Sequence, residues 1–224
     1  MKSVFNKTLL LLVIFSIAMG FLETAVVVYL RELLYPQGFQ LPLMPMKNII
    51  IITELLREAA TIIMLAIVGY MAGKNSAQRF GYFIFCFAVW DICYYLFLKL
   101  LLNWPASLGV WDILFLIPIP WVGPVAAPII VSLTLICWCL YLQLHSKKIT
   151  WHSWLSFATG STIIIFSFTY DYWVALFKGQ DLVQFSNMHI PQNYQWWVFA
   201  IGQAFLFFTI YVYNKQSTKL YTIK

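Results

Sequence analysis

Six stretches of this chain are apolar for long enough to cross a bilayer, and this constrains its fold more than any other feature. A transmembrane helix needs about 20 consecutive, mostly apolar residues. Runs of that kind extend from Thr8 to Leu33, Asn48 to Ala72, Phe80 to Leu102, Trp121 to Leu144, Ser153 to Leu176 and Gln195 to Tyr213, with a shorter apolar piece, Trp111 to Ile119, ahead of the fourth. In lipid every backbone polar group must be satisfied within the protein. The expected architecture is therefore an all-α, polytopic bundle of six transmembrane helices, one integral membrane domain over residues 1–224. Composition agrees: 62% of residues are hydrophobic and 10% charged, against about 45–50% and about 25% in soluble domains. A soluble globular protein and a disordered chain are excluded. So is a nucleic-acid partner, because the net charge of +6 is not gathered into a basic face.

The opening, Lys2 and Lys7 ahead of Leu9 to Ala18, has the outline of a secretory signal. The apolar character runs on through Val26, Val27 and Val28, too far for a signal core, so a retained first span is expected. With the N-terminus inside, the cytoplasmic segments collect Lys2, Lys7, Lys74, Arg79, Lys147, Lys148, Lys215, Lys219 and Lys224. The outer segments hold only Lys47, Lys99 and Lys178, while Arg31 and Arg57 fall within spans. The positive-inside rule then gives a multi-pass cell-membrane protein with both termini cytoplasmic. The basic inner surface suits anionic lipid head groups. Outer connections are longer and rich in proline and aromatics, which makes the outer face the candidate for function.

On this topology none of the eight acidic residues lies in the cytoplasmic half. Glu32, Asp112 and Asp181 sit at or beyond the outer boundary, with Asp171 about one turn inside it. At about 1.5 Å per residue, Glu23, Glu54, Glu58 and Asp91 reach roughly 9–17 Å below the outer ends of the first three spans. A charge near the bilayer centre costs roughly 2.5–3.5 kcal/mol, so such groups face the bundle interior or a watery cavity. Glu54 and Glu58 share one helical face about 40° apart, with Arg57 beside them. Tyr94 and Tyr95 follow Asp91 at three and four residues, and Arg31 and Lys99 lie further outward.

Ion pairs between helices can fix register without any chemistry. The other reading is an outward-facing polar pocket of Glu23, Glu54, Glu58, Asp91, Arg57, Tyr94 and Tyr95, because a staple needs neither a surplus carboxylate nor two adjacent tyrosines. In that pocket the carboxylates would exchange protons, Arg57 would orient a polar substrate group and a tyrosine would donate a proton. A divalent metal, Mn, Fe or Zn, held by Glu54, Glu58 and Asp91 with His189 folding over, is a further candidate. Arg57 stands against it, since helical two-metal sites use Glu-x-x-His where this chain has Glu-x-x-Arg-Glu.

From Trp111 to Pro128 the chain carries Pro118, Pro120, Gly123, Pro124 and Pro128, which no straight helix accommodates. The expectation is a short extra outer interfacial helix before the fourth span, a break from Pro118 to Pro124, and a kink near Pro128. With Trp90-Asp91-Ile92-Cys93-Tyr94-Tyr95 and Trp104-Pro105-Ala106-Ser107, this stretch resembles segments of uncharacterised bacterial polytopic membrane proteins over residues 20–130. The resemblance implies no activity and gives no residue a role.

Elsewhere, Trp104, Trp111, Trp121, Trp173, Trp196 and Trp197 suit an outer aromatic belt, or an entrance for a lipid-soluble small molecule. Thr159-Gly160-Ser161-Thr162 is expected to allow close helix packing. Cys86, Cys93, Cys137 and Cys139 have no metal-ligand spacing. P-loop, dinucleotide, zinc-protease, serine-hydrolase and haem-attachment motifs are absent. Three classes remain: a membrane enzyme acting on a lipid-soluble substrate, a proton- or cation-coupled carrier or channel, and a non-catalytic subunit held by buried ion pairs.

Overall fold

The computed structural model describes residues 7–42, 44–117, 119–145 and 148–221. Lys2, Pro118, Lys147 and Lys224 lie outside the described residues. In chain order the elements are α1 (Lys7–Leu34), α2 (Asn48–Ala72), α3 (Ser76–Leu102), β1 (Trp111–Ile113), β2 (Val122–Pro124), α4 (Ala126–His145), α5 (Trp151–Phe177), α6 (Leu182–Met188) and α7 (Trp196–Tyr221). Four of these, namely α1, α3, α4 and Trp196–Lys215 of α7, are long and apolar enough to cross a membrane. That set is compatible with a multi-pass membrane protein. The remaining two long helices carry polar groups as well: α2 has Glu54, Arg57 and Glu58 in 25 residues, and α5 has Asp171 and several hydroxyls in 27.

Helix α3 is the hub, packed by α1, α2 and α4, and α5 packs along α7. Its sequence fits that place, because Gly81, Ala77 and Ala88 interrupt the large side chains and let neighbours approach from several sides. Residue pairings give each helix its direction. Gly20 lies against Cys93 and Trp90, the Thr24 hydroxyl donates to the Tyr94 carbonyl at 3.2 Å, and Arg31 stacks on Trp104. Numbers rise together, so α1 and α3 are parallel. Asp91 meets Ser132 while Gly81 meets Leu142, so α4 runs antiparallel to α3.

Between the two groups of helices, Thr134 donates to Gln203 at 3.1 Å and Trp138 Nε1 to the Leu206 carbonyl at 3.0 Å. Tyr141 bonds Asn214. Helices α4 and α7 are therefore parallel, with Trp138 and Leu206 buried at the join. Gly160 and Gly202 face each other across α5 and α7, each placing its missing side chain about 3 Å from the other's carbonyl, as the small-residue run predicts. A side chain at either would force the backbones apart.

The proline-rich stretch departs from its expectation. In place of an interfacial helix, Trp111–Ile113 and Val122–Pro124 form an antiparallel ladder pairing Asp112 with Gly123. It is extended by Leu114 donating to the Trp121 carbonyl at 2.9 Å and Trp121 donating to that of Phe115 at 2.8 Å. Trp, Ile and Val favour a pleated surface, and prolines bounding a turn leave the ladder its donors. Nor does Pro128 kink a span: α4 begins at Ala126, so Pro128 stands in the first turn, where its missing N–H has no intrahelical acceptor to lose. The short extra helix is α6, in the connection between α5 and α7, capped by Asp181 accepting from the Gln184 N–H at 2.8 Å.

Candidate functional site

Glu54 and Arg57 meet first through local spacing. One turn of α2 brings the Arg57 guanidinium onto Glu54 Oε2, with Nε at 2.9 Å and Nη2 at 2.8 Å. Its remaining nitrogen, Nη1, reaches across to Glu23 of α1. Two carboxylates thus share one guanidinium, leaving that group net negative. Glu58, one turn further along α2, does not join them. Both of its oxygens accept from the Leu116 N–H, at 2.9 and 3.0 Å, and so tie the β1–β2 loop down over the helix. Asp91 lies on the neighbouring face of α3, its Oδ2 accepting from the Ser132 hydroxyl of α4 at 2.8 Å. No donor among the described residues is within hydrogen-bond distance of its Oδ1.

Asp112, assigned by sequence to the outer boundary, folds inward instead. Alternation along a strand sends it to the face opposite Trp111 and Ile113, where it is 2% exposed. Arg31 Nη2 donates to its Oδ1 at 3.3 Å, and the same guanidinium lies 3.8 Å from the Trp104 ring centre and 4.5 Å from that of Phe39. Burial pushes the Asp112 carboxyl up to about 6, and Arg31 keeps it from going higher.

Glu23, Glu54, Glu58, Asp91 and Asp112, together with Arg31, Arg57, Tyr94 and Tyr95, line one cleft of about 120 Å³. The cleft holds five carboxylates against two guanidiniums. Every residue expected in the proton-exchanging pocket is therefore present, and Arg31, Asp112 and Trp90 are added to it. Lys99 is not part of the cleft, since its ammonium is spent on the carbonyls of Asn103 and Pro105 beyond the end of α3. His189 is elsewhere too: its Nε2 lies 2.9 Å from Asp171 Oδ2, in a separate shallow recess beside Gln192 and Asn193. Glu54, Glu58, Asp91 and His189 thus do not converge, and no three metal-ligating side chains cluster among the described residues. The physical reason is that each acid already has its own partner, Arg57, the Leu116 amide or Ser132, while the histidine is held by Asp171. These groups do not form the set expected for a divalent metal.

Behind the cleft lies a second cavity, of about 300 Å³, walled by Phe83, Phe87, Phe115, Trp121 and Phe168 from α3, the hairpin and α5. Asp91 belongs to both walls. A charged residue seven positions past Ile84 on the most buried helix is the signal in sequence. The cavity itself left none, because its aromatics come from three elements far apart in sequence. No protein-family model, curated protein or solved structure matches this chain.

Proposed function

We propose that the protein is an integral membrane enzyme with six spans and both termini cytoplasmic, acting on a lipid-soluble substrate whose polar end enters the outer cleft and whose apolar part enters the adjoining cavity. The observation that carries this reading is the position of Asp91, in the wall of a carboxylate-rich cleft on one side and of an aromatic cavity on the other. A group so placed touches an amphipathic molecule at the boundary between its polar and apolar parts. Asp91 then serves as the acid–base group, with one oxygen fixed by Ser132 and the other open to substrate. Tyr94 and Tyr95 stand in the same wall as proton donors to substrate. Arg57, Glu54 and Glu23 form a fixed electrostatic frame, and Glu58 is a positioning residue that holds the β1–β2 loop.

The parallel pairs support the six crossings. If α1 and α3 both span and run parallel, α2 must return the chain between them. The same holds for α5 between α4 and α7. Inner lysines and an outer acidic cleft then follow from the charge distribution.

The test is untargeted mass spectrometry of bacterial membrane lipid extracts incubated with purified wild type and with Asp91→Asn. A lipid species converted by wild type alone, with the variant equally monodisperse, is the expected result. Identical profiles from two well-folded proteins overturn the enzyme. The surplus of carboxylates over guanidiniums favours a second reading, a proton- or cation-coupled carrier. It predicts unchanged lipids but Asp91-dependent proton or cation flux in liposomes.

A further inference from the structure

Helix α6 is held down by contacts whose strength depends on a proton. It has seven residues, none of them buried, and it packs principally on α5. A helix this short is marginal by itself in water, so its contacts with α5 keep it in place. The Tyr172 and Ser186 hydroxyls lie 3.2 Å apart, and Phe185 packs edge-on to the Tyr172 ring with centres 5.3 Å apart. At the C-terminal end His189 gathers three contacts. Its N–H donates to the Phe185 carbonyl at 2.8 Å, its ring stacks on that of Phe185 at 4.4 Å, and its Nε2 lies 2.9 Å from Asp171 Oδ2 on α5.

Helix α6 is also one wall of a groove of about 450 Å³. Val183 and Asn187 contribute from α6, Ile51 and Leu55 from α2, and Leu116 belongs both to this groove and to the carboxylate-rich cleft. Moving α6 away from α5 therefore opens the groove, and with it an approach to the cleft.

Imidazole changes charge between about pH 5 and 8. Protonated, His189 forms a charged pair with Asp171 and a cation–π contact with the Phe185 face. Neutral, it keeps a hydrogen bond and a ring contact without the charge. Both partners thus hold the ring more firmly in acid, and that additional hold is lost as pH rises. Among the described residues no other charged group lines the recess around this pair, whose remaining walls are Ile190, Gln192, Asn193 and Gln195. The neighbouring titratable group on α5, Tyr172, is engaged by Ser186, and Lys178 and Asp181 stand at the opposite end of α6.

We infer that α6 is a pH-dependent strap, closed over the groove in acid by the His189–Asp171 pair and loosened as pH rises above neutral. That the groove admits substrate rests on the outer-cleft reading above, whereas the strap itself does not.

Hydrogen exchange of the full chain in lipid nanodiscs, by quench-flow mass spectrometry at pH 5.5 and 8.0, reads the opening of α6 from the amides of residues 185–189. Each rate is divided by the chemical exchange rate at that pH. Wild type is expected to be about fivefold more protected at pH 5.5, the fold-change that about 1 kcal/mol from the exposed pair and the ring contact gives. His189→Gln is expected to show equal protection at the two pH values. Asp171→Asn, which removes the charge and keeps an acceptor, is expected to cut the difference to about twofold. Asp112 is unchanged in both variants, so its titration does not separate them from wild type. Equal wild-type protection at both pH values overturns the strap, as does a pH difference that persists in full in His189→Gln. Amides of Ile164–Thr169 in α5 report folding, and if His189→Gln loosens them too, Asp171→Asn carries the comparison. Exchange needs no turnover. A flat pH response in a protein that converts a lipid removes the strap alone, and unchanged lipids beside pH-dependent protection remove the enzyme alone.

Discussion

Arg31 is surrounded by one carboxylate and two aromatic faces, all supplied from outside its own helix. Its removal leaves Asp112 buried and unpaired, a change that typically costs about 3–5 kcal/mol. Asp112 also carries a pH signature. Its carboxyl is held at about 6 in the folded protein against an ordinary 3.8, so between those values the native chain keeps a proton that the unfolded chain has released. Stability contributed by this group is present in acid and is lost as pH rises through about 6, by at most about 3 kcal/mol. Thermal unfolding in mild detergent from pH 4 to 8 is expected to show a smaller loss in Asp112→Asn than in wild type, the difference being the share of this carboxyl. Arg31→Leu should be less stable at pH 7 and should shift the loss upward in pH. Parallel wild-type and Asp112→Asn profiles would mean that this carboxyl does not titrate in the window.

At the scale of elements, one close backbone approach is between α5 and α7. A side-chain carbon at Gly202 would lie 2.6 Å from Ile164 Cγ1 and 3.0 Å from the Gly160 carbonyl. Gly202→Val is therefore expected to lower stability by about 1–3 kcal/mol, the usual range for overpacking. Gly109→Val, whose nearest neighbour is the Ser107 hydroxyl at 3.8 Å, should leave the melting temperature close to wild type. Equal melting curves for the two variants would contradict the close crossing. This contact was legible in Thr159-Gly160-Ser161-Thr162, as was the pairing of Glu54 with Arg57, because both follow from spacing along one helix. The hairpin was not. Three-residue strands are too short to show a period, and prolines say where a helix stops without saying what replaces it. The burial of Asp112 was not legible for the same reason, since counting residues outward from a span does not show where the chain turns back. Glu23 and Arg57 were both candidates, but only tertiary packing brings them together.

Across the whole molecule, direction is the strongest argument for topology. If only the four most apolar helices crossed, successive spans would alternate, and α1 and α3 would be antiparallel, as would α4 and α7. The pairings of Thr24 with Tyr94 and Arg31 with Trp104 run the other way, as do those of Thr134 with Gln203 and Trp138 with Leu206. Charges in α2 do not prevent its crossing, because Glu54 and Glu58 are buried against protein and most exposed positions are apolar, among them Ile52, Leu56, Ile63 and Ile67. Labelling separates the two arrangements. In a background with the four native cysteines replaced, single cysteines at the exposed positions Gln37, Lys74, Ser107, Lys148 and Gln180 are treated with an impermeant maleimide in intact cells. Six crossings with an inner N-terminus label Gln37, Ser107 and Gln180, while Lys74 and Lys148 react only after permeabilisation. Four crossings would expose Lys74 together with Gln37 and hide Ser107. Lys74 and Ser107 thus exchange places between the two arrangements. Labelling of Lys74 from outside would also put the ends of α2 on one side of the membrane and break the cleft apart, because Arg57 and Glu58 reach Glu23 and Leu116 only if α2 runs back along α3.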